Sequence, residues 1–127
     1  MLKKATPGVH EIFGLIPSSA VIRLRLLLGE VVIEIENGFT KTSNAAYLSP
    51  TEARRLAAEY ISPRIGHAHY NYGRDDDGVY IAGAMIVILG DGEPKDKVVI
   101  ESNPKAERFC RILAMLADDA ERGKTIN

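Results

Sequence analysis

Three observations predict an α+β fold in which an antiparallel sheet of hairpins carries two helices on one face. Residues 21–27 and 30–36 alternate apolar and polar side chains with a period of two. Asn37-Gly38 is a strong hairpin-turn dipeptide. Ser49-Pro50 and Asn103-Pro104 each open a stretch whose apolar residues recur at helical spacing. The chain of 127 residues fits one domain, 1–127, and its hydrophobic fraction of 46% is enough for a core.

Residues 1–19 read as irregular, with a short strand expected within 9–16 and a turn at Pro17-Ser18-Ser19. In residues 21–27, Ile22, Leu24 and Leu26 share one face, and Arg23 and Arg25 the other. In residues 30–36, Val31, Ile33 and Ile35 lie opposite Glu34 and Glu36. Joining the two through Leu28-Gly29 pairs Leu26 with Val31, Leu24 with Ile33, Ile22 with Ile35 and Arg23 with Glu34. A one-residue slip would lose every one of these matches. The charge pair adds only about 0.2–1 kcal/mol, so the apolar match sets the register.

A tight turn at Asn37-Gly38 is expected to pair Glu34 with Lys41, leading into a more polar third strand over 39–48 that is either an edge strand or one that ends early. Ser49-Pro50-Thr51-Glu52 then gives a cap, a first-turn proline and a carboxylate that reaches back to the cap. Ala53, Leu56, Ala57 and Tyr60 line the inner face of this helix, and Ser62-Pro63 ends it. Residues 64–78 form either a strand leading into a turn or a long loop. Residues 79–89 are apolar on both faces and are expected as one central strand, with Gly83 marking a bulge or a close backbone approach. Gly90-Asp91-Gly92 turns the chain, and 97–101 returns as a strand. The last helix carries Phe109, Ile112, Leu113 and Leu116, flanked by Ala106, Cys110 and Ala117, with Gly123 as its expected end. The second half thus echoes the first as a ββα pseudo-repeat.

The formal net charge of −1 argues against a general nucleic-acid binder held by a strong positive field. A single cysteine, Cys110, permits no internal disulfide and points to a reducing compartment. Lys3 and Lys4 precede apolar residues as in a signal peptide, but Pro7, His10 and Glu11 interrupt the segment. The most apolar run, 79–89, falls short of the roughly 20 residues a membrane helix needs. A cytoplasmic protein with no membrane contact is expected.

Chemistry-bearing residues gather in 64–78. His67 and His69 would share a face of a strand at a usable metal-ligand spacing, with Asp75, Asp76 and Asp77 as nearby oxygen ligands. Tyr70, Tyr72 and Arg74 also share a face, and with Arg64 and the helical Arg54 and Arg55 they offer stacking rings and cations to a single strand. Against the metal reading, two histidines make no complete site; against the strand reading, Glu34, Glu36 and the aspartates repel phosphate. A calcium loop counted with Gly78 at its sixth position has alanine, Ala84, at its twelfth, so its terminal carboxylate is missing. Gly90-Asp91-Gly92 lacks the spacing of a nucleotide fingerprint. Ser18, Ser19 and Ser43 have no nucleophile-elbow context, and Cys110 lies on a core stripe. Lys105, Arg108 and Arg111 lie towards the start of the last helix, against its dipole, while Asp118, Asp119 and Glu121 lie towards its end. Glu107–Arg111 and Asp118–Arg122 pairs would offset part of that cost. The basic first half of this helix is expected to face an acidic partner or a neighbouring subunit.

Strands followed by a capped helix, as in 21–61, resemble the repeat of the whirly, Pur-type and positive-cofactor single-strand-binding proteins. That resemblance implies a curved sheet that binds a nucleic-acid strand, but the acidic strand faces and near-neutral charge depart from it, and no functional residue is carried over. The expectation is therefore a small non-enzymatic binding or regulatory module acting through protein contacts, without a cofactor and able to form a homodimer. Single-strand binding through Arg64, Tyr70, Tyr72 and Arg74 ranks next, and a small metal-dependent hydrolase using His67 and His69 third.

Overall fold

The computed structural model describes residues 8–13, 19–60, 69–72, 77–82, 85–100 and 103–126. Strands β1 (His10–Ile12), β2 (Ala20–Leu27), β3 (Glu30–Asn37) and β4 (Thr42–Leu48) lead into helix α1 (Pro50–Tyr60). Strands β5 (His69–Tyr72), β6 (Val79–Ala82), β7 (Met85–Gly90) and β8 (Glu93–Val99) lead into helix α2 (Asn103–Ile126). Each set of strands is a four-stranded antiparallel meander, in the orders β1-β2-β3-β4 and β5-β6-β7-β8. The class is α+β, as the patterning predicts, with two sheets where one was expected.

β2 and β3 pair in the register set by their apolar residues: Leu26 with Val31, Leu24 with Ile33, Ile22 with Ile35 and Arg23 with Glu34. Leu28 and Gly29 join them with φ of 51° and 81°, the positive-φ turn whose twist suits paired strands. Leucine is costly there, because a Cβ crowds the backbone at positive φ, and Leu28 is also 95% exposed.

Four boundaries differ from the sequence expectation: β8 spans Glu93–Val99, beginning four residues before the strand expected over 97–101, and the other three differ for local reasons. Asn37 is the last residue of β3, opposite Thr42, so Glu34 faces Ala45 and not Lys41. Asn37 Oδ1 accepts the amides of Phe39 and Thr40 at 2.9 and 3.3 Å, which widens the turn into a loop over 38–41. Gly38 donates its amide to the Ser19 carbonyl at 2.8 Å, and a Cβ on Gly38 would lie only 3.0 Å from that oxygen. Next, the apolar run 79–89 is a hairpin and not one strand, with Ala82 opposite Met85. Ile86, Val87 and Ile88 are buried in succession, so both faces of β7 are covered and no polar alternation marks where one strand ends and the next begins. Finally, α2 continues through Gly123 to Ile126; glycine lowers helix stability by about 1 kcal/mol relative to alanine without ending the helix.

Ser49 caps α1 as its sequence predicts: its Oγ accepts the Glu52 amide at 3.1 Å, and its carbonyl accepts Ala53 N–H at 2.9 Å. Pro50, Ala53, Leu56, Ala57 and Tyr60 form the buried face. α1 packs over β3, β4 and β5, α2 packs over β1, β2 and β3, and the two helices pack on each other. The sheets meet where β3 and β4 approach β7 and β8. One continuous cluster of buried apolar residues draws on both sheets and both helices. Phe109 is its largest fully buried side chain and meets Tyr60 edge to face, 5.4 Å between ring centres. Among the described residues Asp96 is the one buried polar side chain. It accepts Asn44 Nδ2 at 2.6 Å, a bond that bridges the two sheets. No described helix is long and apolar enough to cross a membrane.

Two stability changes of opposite sign are expected from urea unfolding. Leu28→Asn relieves positive-φ strain without loss of buried surface and should stabilise the protein by about 1 kcal/mol. Asn44→Ala leaves the Asp96 carboxylate without its partner and should cost about 1–3 kcal/mol.

Candidate functional site

Period-two alternation sends the charged residues of the first sheet to its outer face, away from the helices. There Arg23 Nε donates to Glu11 at 2.8 Å, and Arg23 Nη1 pairs with Glu36. Arg25 pairs with Glu34 at 3.1 Å, and Ser43 Oγ donates to the same carboxylate. Glu11 lies directly opposite Arg23, while the Arg23–Glu36 and Arg25–Glu34 pairs run diagonally across the register. The hydrogen bond to Glu11, reinforced by Glu36, raises the Arg23 pKa above its ordinary value. Phosphate approaching this face would have to displace a carboxylate from each arginine.

The helices present a different surface. Arg54 lies against Asp118 and Glu121, at 2.7 and 2.6 Å, while Tyr60 lies against Phe109. Helix α1 therefore runs antiparallel to α2. The hydrogen bonds to Glu121 and Asp118 raise the Arg54 pKa. Between the helices runs an apolar groove of about 500 Å3. It is lined by short side chains, with Ala57 and Cys110 buried at its floor and Ala58 and Ala114 more open, and Arg54, Glu107 and Arg111 stand on its rim. Glu107 and Arg111 are exposed and one turn apart. Among the described residues neither forms an ion pair, so the expected Glu107–Arg111 pair is not made; Arg122 pairs with Asp119 in place of Asp118.

Burial pushes the Cys110 pKa up to about 12. The thiol stays neutral near neutral pH and is no nucleophile. Burial, and to a lesser degree the neighbouring Cys110, also raises the Tyr60 pKa. A second, polar cleft of about 380 Å3 lies between β4 and the β7–β8 hairpin, lined in part by Asn44, Tyr47, Asp77, Asp91 and Lys95. Asp77 Oδ1 accepts the Asp91 amide at 3.0 Å. Among the described residues no three His, Cys, Asp or Glu side chains stand close enough to hold a metal ion.

Arg64, His67 and Arg74, three of the residues singled out by sequence, lie outside the described residues. In β5, Tyr70 pairs with the buried Ile81 and Tyr72 with the buried Val79 of β6, while His69 pairs with Ala82. Of the three cations towards the start of α2, Arg108 donates to the Glu11 carbonyl at 2.9 Å and so ties the helix to β1. Lys105 is half-buried, and Arg111 stands on the groove rim. The groove itself was not foreseen. Its only sequence signal is small residues at helical spacing on two distant helices, a pattern that reads equally well as core. Comparison of the chain with protein-family models, curated proteins and solved structures finds no match.

The raised pKa values of Cys110 and Tyr60 fix the sign of an alkaline effect. The folded state holds these protons more tightly than the unfolded chain, whose ordinary values are 9.0 and 10.0. Their contribution is whole below those values and is lost as pH rises through them towards the folded-state values. Unfolding free energy should therefore fall as pH rises from about 9 towards about 12, and less steeply in Tyr60→Phe. A flat profile in the parent protein would contradict this.

Proposed function

We propose that this protein is a small non-enzymatic binding module that acts through protein contacts on its paired helices. One observation carries the reading: the groove between α1 and α2 combines an apolar floor of short side chains with exposed charges of both signs on its rim. Short side chains let another backbone approach closely, and a charged rim orients it. An apolar stripe on a partner helix has the shape and chemistry to fill such a groove.

The outer face of the first sheet weighs against the nucleic-acid alternative, because Arg23 and Arg25 are engaged by Glu11, Glu34 and Glu36. On α1, Arg54 is held by Asp118 and Glu121, and Arg55 lies 3.8 Å from both Glu52 and Glu59.

Native mass measurement of the protein purified from its own cell tests the reading. A stoichiometric protein complex is expected in the parent. Ala114→Arg, which fills the groove from a half-exposed position, should lower its abundance at least about tenfold, equivalent to about 1.4 kcal/mol. A complex indifferent to Ala114→Arg, or binding only to oligonucleotides with a steep salt dependence, would overturn it.

A further inference from the structure

The charges on the groove rim identify its occupant. Glu107 and Arg111 are four residues apart on α2, a spacing that allows them to pair with each other, yet they do not. Both are exposed, both stand beside the apolar floor, and no other described charge neutralises either. Arg54, the third rim charge, is already held by Asp118 and Glu121.

Two opposite charges along one helix have a symmetry property. Rotating a copy of the helix by a half-turn about an axis through their midpoint exchanges the two ends. Glutamate then faces arginine at both positions, and the two contacts are identical. A foreign partner would need its own matched basic and acidic groups at this spacing; a second copy already has them.

The neighbouring side chains fit such a contact. Glu107, Arg111 and Met115 lie at i, i+4 and i+8, a single ridge along α2. Met115 is 41% exposed, and among the described residues it is the one large apolar side chain of the two helices left open. Methionine is unbranched and adapts to irregular gaps. The small residues Ala57, Ala58, Cys110 and Ala114 leave the depth that a ridge needs.

We infer that a second copy of this chain docks on the α1–α2 groove about a two-fold axis, with α2 antiparallel to α2 and Glu107 of each copy against Arg111 of the other. This rests on the groove reading above and names its occupant. Charge pairs at the edge of an apolar contact set register and partner choice, and like charges brought together oppose association.

Charge reversal with rescue tests it, read by sedimentation velocity on the full chain across the micromolar range. The parent should be a dimer. Glu107→Arg brings arginines together and Arg111→Glu brings glutamates together, so each alone should weaken the dimer at least tenfold. The double variant restores opposite charges at both positions and should dimerise like the parent. Both residues are exposed, and unchanged far-ultraviolet circular dichroism would show that each variant still folds. A monomeric parent, single reversals without effect, or a double variant that stays monomeric would each overturn the two-fold contact. In those cases the groove reading stands or falls separately on the loss of any other protein partner in Ala114→Arg.

Discussion

The register of β2 against β3 is the constraint on which the rest of the molecule depends. With Ile22 opposite Ile35 and Leu24 opposite Ile33, one face of the first sheet becomes continuous and apolar. That face takes both helices, and their docking beside one another creates the groove. The same register sends Arg23, Arg25, Glu34 and Glu36 to the opposite face. A slip of one residue would present glutamates and arginines to Phe109 and Leu56, at a desolvation cost far above any pairing gain. The buried face and the charged face therefore follow from one choice.

Pairing within the fold gives the near-zero net charge a spatial meaning. Carboxylates on the first sheet sit on its own arginines, and Arg54 of α1 sits on acids of α2. These exposed and half-exposed pairs contribute little stability each. Their larger effect is to remove positive charge from surfaces that would otherwise attract phosphate. The acids towards the end of α2, unfavourable to its helix dipole, are stabilised by Arg54 from a different element. This also explains why the local Asp118–Arg122 pair is replaced by Asp119–Arg122.

Signals confined to a few neighbouring residues were the legible ones. The Leu28-Gly29 turn, the β2–β3 register, the Ser49 cap and the buried stripes of both helices all depend on contacts between nearby positions, and all were readable. Asn37-Gly38 misled because two tight-turn residues do not specify turn length; the Asn37 side chain and the Ser19 carbonyl do that, and Ser19 lies just before another strand. The run 79–89 hid a hairpin because consecutive residues such as Ile86, Val87 and Ile88 are all buried, so no polar position marks the turn. The groove was illegible for a deeper reason. It exists only where Ala57 and Ala58 meet Cys110 and Ala114, and nothing within either helix records which part of the other it will touch. The Asn44–Asp96 bond between sheets was hidden in the same way.

The placement of α2 also shapes how the molecule can be made. Within each meander, neighbouring strands are neighbours in sequence, so hairpins can close soon after they leave the ribosome. The helix that covers β1, β2 and β3, however, follows the entire second sheet in the chain. During synthesis Ile12, Ile22 and Leu24, on two of the strands that α2 covers, lack that cover until α2 emerges. The nascent first half is thus an unfinished surface for a long stretch of translation, exposed to chaperones and to its own neighbours on a polysome. The order in which the chain is read makes the last helix the step that closes the core.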